Sequence, residues 1–228
     1  MSENVVHPSA IVGARVRMGT GNYVGPGAVL AGDLVLGDDN WIGAYVVLGA
    51  LPEVRDFPHT STWLDEDEGA GTRVGSRNVF REGAQLHRGW HGATVMGDDA
   101  FIMNQVYLAH DCQIGDFVTM ASTVALGGHC VIGDRTNLGL GAVVHQRTVI
   151  GTGAMVGMGA VVTRDVLAFT KTYGNPARPH GINTIGMERA GIPQEVIDRT
   201  VAAFEAGTLA EFLAAHLTVD LGLVGSAT

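Results

Sequence analysis

Aliphatic residues recur along this chain at a fixed interval of six. Val6, Val12, Met18, Val24, Leu30, Leu36, Ile42 and Leu48 open the series, and Val74, Phe80 and Leu86 resume it. After a four-residue slip it runs from Met96 through Ile102, Leu108, Ile114, Met120, Leu126, Ile132, Leu138, Val144, Ile150 and Val156 to Val162. The residue after each is mostly small, as at Gly13, Gly43, Gly97 and Gly127, and four positions on the chain is again small or β-branched, as at Ala28, Val46, Val118 and Ala142. A helix needs apolar residues about 3.6 apart, so a strict six does not suit one, whereas short strands meeting at repeated corners do. Such hexads mark a parallel β-helix, three to a triangular coil of about 18 residues, in which each coil buries its aliphatics by stacking on the next. The 23 hexads predict an all-β body of between seven and eight coils.

Two segments interrupt the count. Val54–Arg73, VRDFPHTSTWLDEDEGAGTR, carries Trp63 and an acidic run and is expected to loop out, and Gly89–Val95, GWHGATV, makes a shorter excursion. Loops that leave a rigid scaffold often carry function, although a solvated surface accounts for the acidic run equally well. The chain is expected to divide into a β-helix over 1–167, with its excursion at 54–73, and a linker with an α-helical extension over 168–228. Gly174–Asn183 reads as extended linker. Pro193 followed by Ile197, Val201 and Phe204 predicts an amphipathic helix that Gly207 ends, and Leu209–Leu217 a second. A cap on the last coils or on a neighbouring subunit is their plainest role.

Composition narrows the function. Glycine makes up 33 of 228 residues while aromatics stand at 6% and charged residues at 16%, which suits tight turns at short intervals better than a bulky core. A net charge of −9 disfavours nucleic acid, whose phosphates require a basic face. No apolar run is long enough to span a membrane and no secretory leader is visible, so a cytoplasmic protein is expected. Cys112 and Cys130 lie 18 apart in the small inward slot and read as reduced packing residues.

The histidines carry the chemistry. Positions 18 apart stack, so Leu86 (across the slip), Leu108, Leu126 and Val144 share one edge of the prism, and beside them stand His87, His110, His129 and His145. Zinc would need ligands converging on one point, whereas coils stacked roughly 4.8 Å apart spread this column along the axis. An acid–base site is the better reading: a histidine takes a proton from a hydroxyl or amine attacking a carbonyl. Asp111 follows His110 and is placed to orient it, and Gly127-Gly128 offers unencumbered N–H groups to a developing oxyanion. A metalloenzyme of the γ-carbonic-anhydrase type and a non-catalytic β-helix scaffold stay open as alternatives.

IMNQVYLAHDCQIGD, QLHRG, LGGHCVIGD, AVVHQRTVIG and GNPARPHGINTIGMERAGI, in this order, resemble the UDP-N-acetylglucosamine O-acyltransferase family of lipid A biosynthesis. The resemblance implies a left-handed parallel β-helix, a homotrimer, and active sites between subunits. It places His110 on the catalytic base and Gly128 on the oxyanion donor, with His87, His129, His145 and Gln146 on substrate contacts and Asn183 and Arg189 near the nucleotide. It implies no metal or bound cofactor; the acyl group arrives as a thioester on acyl carrier protein, or on coenzyme A in a divergent member, and passes to a small-molecule acceptor. Tyr107 stands where the family has a second histidine and is kept as a substrate contact. Glu53-Val54-Arg55-Asp56 replaces a stretch with a carboxylate and a lysine, and Glu188-Arg189-Ala190 reduces a basic pair. These departures point to a changed acceptor, such as another amino sugar or a nucleoside.

Overall fold

The computed structural model describes residues 3–65 and 68–220; Glu66 and Asp67 of the acidic run and the last eight residues lie outside it. Each of the 23 aliphatic positions falls in its own short strand, from Val5–Val6 to Val161–Val162. The strands form three parallel sheets, one per face, in which every third strand pairs. Seven coils are complete. The eighth has two full sides and closes its third with a single bridge, Ile150 to Val166.

The period arises because each aliphatic points inward. Leu30, Leu48, Leu86, Leu108 and Leu126 are fully or almost fully buried, and each such side chain contributes roughly 1.5–3 kcal/mol by leaving water. Polar ladders tie the corners. Asn22, Asn40 and Asn78 each accept the backbone N–H of the coil beyond through Oδ1, at 2.8–2.9 Å. Asp98, Asp116 and Asp134 do the same for Ser76, Asp98 and Asp116. The cysteines fill inward slots as expected: both are free and 0% exposed, with Sγ donating to Gly127 O and His145 O.

The expected linker is instead a β-hairpin. Thr170–Gly174 pairs parallel with Met155–Val156, opening a ninth turn, and antiparallel with Ala177–Ile182. Threonines fill its inward slots, with Thr170 1% and Thr172 3% exposed, so the aliphatic period does not show it. Asn183 then caps α1 (Thr184–Arg189), which has no aliphatic stripe of its own. The two expected helices are α2 (Gln194–Glu205), entered at Pro193, and α3 (Leu209–Asp220). Met187, Ile197, Ala203 and Leu209 pack with Phe169 and Ile182 as a second, smaller core.

Candidate active site

The edge between the second and third faces is built from two adjacent columns. His110, Gly128 and Gln146 form one, on three successive coils; Asp111, His129 and Arg147 form the next. The second column sits at φ +59°, +61° and +62°, a left-handed conformation that costs a residue with a side chain roughly 1–2 kcal/mol. Backbone bonds from His129 N–H to His110 O, at 3.0 Å, and from Arg147 N–H to Gly128 O, at 2.9 Å, hold the columns in register.

Asp111 is 7% exposed and fully engaged. Its Oδ2 accepts from His110 Nδ1 at 2.6 Å and from Trp90 N–H at 3.1 Å; its Oδ1 accepts from the N–H groups of His91 at 2.9 Å and Gly92 at 2.6 Å. A carboxylate has about four lone-pair sites, so none is spare. Burial by itself raises this carboxyl, but Gly92 N–H, His110, and the N–H groups of Trp90 and His91 outweigh it and hold Asp111 below the usual carboxylate range. An ionised carboxylate only accepts. His110 Nδ1 therefore carries the proton, and Nε2 presents its lone pair.

That lone pair faces bare backbone. A Cβ on Gly128 would lie 2.7 Å from His110 Nε2 and 2.8 Å from Cε1, so only glycine leaves the imidazole its room. On the same edge His129 meets His110 edge-to-face with ring centroids 5.1 Å apart. His129 stacks at 6.3 Å on His91, which stacks at 4.3 Å on Trp90. Burial lowers the His129 pKa; Asp111 opposes this, while Arg147, His110 and His91 add to it, leaving the imidazole below its ordinary value.

The long excursion supplies the facing wall. Glu53, Val54 and Arg55 close with Trp90, His91, His110, His129, Gln146 and Arg147 around a cleft of about 370 Å³. Glu53 accepts the Tyr107 hydroxyl, and its other oxygen lies 3.3 Å from His87 Nδ1, which bonds to Leu51 O at 2.6 Å. The His87 and Tyr107 rings pack 5.2 Å apart. Burial, and then Glu53, push the Tyr107 phenol above its ordinary value, so it remains a donor.

His110, Asp111 and His129 offer ligand atoms within 4.8 Å of one another, a spacing that suits a divalent ion. The chemistry of the set does not. A metal would have to displace one of the four donors already on Asp111.

Comparison with known proteins gives the family. An acyl-[acyl-carrier-protein]--UDP-N-acetylglucosamine O-acyltransferase of Thermodesulfovibrio yellowstonii is 35% identical over 209 residues, covering 89% of this chain and 77% of the relative. The chain belongs to the UDP-N-acetylglucosamine O-acyltransferase family. The same-named protein of Caulobacter vibrioides is 51% identical over 134 residues, which span 58% of this chain and about half (51%) of that relative. The family description "Udp N-acetylglucosamine O-acyltransferase; Domain 2" matches residues 165–209, from the last bridge through the hairpin to α3. The Francisella novicida UDP-N-acetylglucosamine acyltransferase structure superposes with a TM-score of 0.77 at 25% identity, covering 88% of this chain and 79% of that one. The fold is thus the family's left-handed parallel β-helix, and the enzyme class is acyltransferase.

Within this acyltransferase chain, His110, His129 and Gln146 line one cleft, with Asp111 and Gly128 against the His110 ring. His87 and Tyr107 stand beside the cleft and hold Glu53. The exposed ring of His145 bonds to its neighbour's carbonyl, Gln146 O, and Asn183 and Arg189 stand at the two ends of α1, so these three do not line the cleft of a single chain. Glu53, Arg55, Trp90, His91 and Arg147 were not among the expected site residues. Arg147 was within reach of sequence, since it stands 18 after His129. Arg55, Trp90 and His91 sit in the two aperiodic segments and Glu53 stands immediately before the first, where spacing carries no position.

Proposed function

We propose that this chain moves an acyl group from acyl carrier protein to a hydroxyl of UDP-N-acetylglucosamine, with His110 as general base. The observation that carries the reading is the His110 ring itself: Nδ1 is tied to a saturated carboxylate, and Nε2 is open beside Gly128. The sugar hydroxyl attacks the thioester carbonyl carbon as its proton passes to His110 Nε2. The negative charge on the carbonyl oxygen is met by Gly128 N–H. The C–S bond then breaks, the thiolate leaves with the proton from His110, and an ester remains. Neutral His129 and Gln146 serve as hydrogen-bonding contacts to the acceptor. Arg55 and Arg147 take the nucleotide phosphates, moving to the excursion loop and the left-handed column a role that the resemblance gave to Asn183 and Arg189.

The homotrimer and the cytoplasmic location belong to the same proposal. Phe117, Leu140, Met155 and Met158 are exposed, Met158 at 75%, as a face meant for another copy would be; in that trimer Asn183, Arg189 and His145 serve a neighbouring cleft. No helix among the described residues is long and apolar enough to cross a membrane.

The test is thiol release from acyl carrier protein and coenzyme A thioesters, with UDP-N-acetylglucosamine, amino sugars or nucleosides as acceptor. Release from the carrier-protein donor that requires UDP-N-acetylglucosamine, and that falls about 10²–10⁴-fold in His110→Ala, is the expected result. Turnover that needs a different acceptor overturns the substrate, and turnover that survives His110→Ala overturns the base.

A further inference from the structure

The two aperiodic segments are fastened to each other as well as to the coils. Gly89 N–H donates to Gly71 O at 2.9 Å, Ala70 N–H to Gly89 O at 2.8 Å, and Thr94 N–H to Gly71 O at 3.2 Å. Arg88, 1% exposed, donates from Nε to Gly49 O at 2.9 Å and from Nη2 to Trp63 O at 2.8 Å, tying the long excursion down where the short one begins. Phe57 is the excursion-loop side chain that reaches across. It is 3% exposed, and its ring meets Trp90 edge-on, centroids 6.3 Å apart at 84°. Trp90, His91 and Gly92 then supply three of the four donors on Asp111.

We propose that Phe57 is a positioning residue for the base: it props Trp90, which keeps the three N–H groups of the short excursion on Asp111, which in turn sets the proton on His110. The inference rests on the reading of His110 as base. Phe57 is buried and does not line the cleft, so it acts through its neighbours: through Trp90 toward the base, and through its own N–H on Val54 O, at 3.0 Å, toward the loop residues of the cleft, a route that would show in KM. The three donors are backbone groups, and His91 and Gly92 are exposed, so water competes for their N–H groups once the prop is gone.

The groups that face His110 are Asp111 on its own corner, His129 and Arg147 from the next two coils, His91 from the short excursion, Arg55 from the long one, and Glu53 just before it. Among the described residues only Asp111 is hydrogen-bonded to its ring. Loosening that carboxylate releases the partner that fixes the proton on His110 Nδ1 and leaves the ring free to turn, so the pH profile of the reaction should respond to Phe57 in the same way as it responds to Asp111.

The experiment compares Phe57→Ala, Phe57→Leu, Asp111→Asn and the double variant Phe57→Ala/Asp111→Asn by kcat, KM and pH profile. Phe57→Ala is expected to lower kcat about 10- to 100-fold, with KM for UDP-N-acetylglucosamine changed less than about twofold. Its acid limb should move in the same direction as that of Asp111→Asn, and Phe57→Leu should recover most of the rate. Because both changes act through one carboxylate, the double variant should be no slower than Asp111→Asn alone. Losses that multiply, or a Phe57→Ala enzyme with an unmoved profile and a raised KM, overturn the proposal. If Phe57→Ala melts below the assay temperature, Phe57→Val replaces it in the same comparison. A His110→Ala enzyme that stays active fails the base itself, whatever Phe57 does.

Discussion

His110 Nδ1 lies 2.6 Å from Asp111 Oδ2, and the two residues are neighbours in the chain. Adjacent side chains rarely face each other on a strand, where they alternate across the sheet. Here they do because Asp111 occupies the left-handed position of a corner, at φ +59°. Asp111→Asn keeps the shape but offers one acceptor where four donors converge. It should lower kcat about 10²-fold or more, with little change in KM. Steady-state kinetics across pH checks both.

The same residue makes stability depend on pH. A carboxyl held below its ordinary value in the folded chain contributes stability that is fully present above the unfolded pKa of about 4, and loses it as pH falls through the folded value. The melting-temperature gap between wild type and Asp111→Asn should therefore be widest near neutrality and close as the pH drops below about 4. A gap that is constant with pH contradicts the assignment.

Gly128→Ala tests the space beside the base. The added methyl would lie 2.7 Å from Nε2, and the ring must turn away from Asp111 to clear it. About a hundredfold loss in kcat is expected, with the coil intact by circular dichroism. Full activity would mean that His110 works from another rotamer.

Arg55→Ala and Arg147→Ala address the phosphates. Losing one charge-assisted hydrogen bond of about 1.5 kcal/mol should raise KM for the nucleotide sugar roughly tenfold and leave KM for the acyl donor unchanged. The penalty should shrink as salt is added. A rise in the donor KM instead assigns the two arginines to the donor.

Cys112 and Cys130 should not react with a thiol reagent until the chain unfolds. Both are fully buried, and the Cys112 thiol is pushed up by the neighbouring Cys130 thiol and by burial, so it stays protonated. Rapid labelling of the native protein would contradict this packing.

Much of this was legible in the chain. Each of the 23 strands from Val5–Val6 to Val161–Val162 was marked by an apolar residue at the interval of six, and the stack of Leu86, Leu108, Leu126 and Val144 is the observed pairing. The hairpin was missed because Thr170 and Thr172 fill inward slots without being aliphatic. α1 was missed because it is six residues long and buries Met187 alone.

Sequence by itself determined the coil, the stacking interval and the edge on which the histidines stand, because a coil touches only its neighbours and a contact one coil away is 18 residues away wherever no excursion intervenes. Only the tertiary structure decided what faces that edge. Trp90, His91 and Gly92 reach Asp111 across 19 to 21 residues, and Glu53 reaches Tyr107 across 54. Those separations follow from how two loops fold back and lock on Phe57 and Arg88, and a loop that breaks the repeat has no interval from which its landing point can be counted.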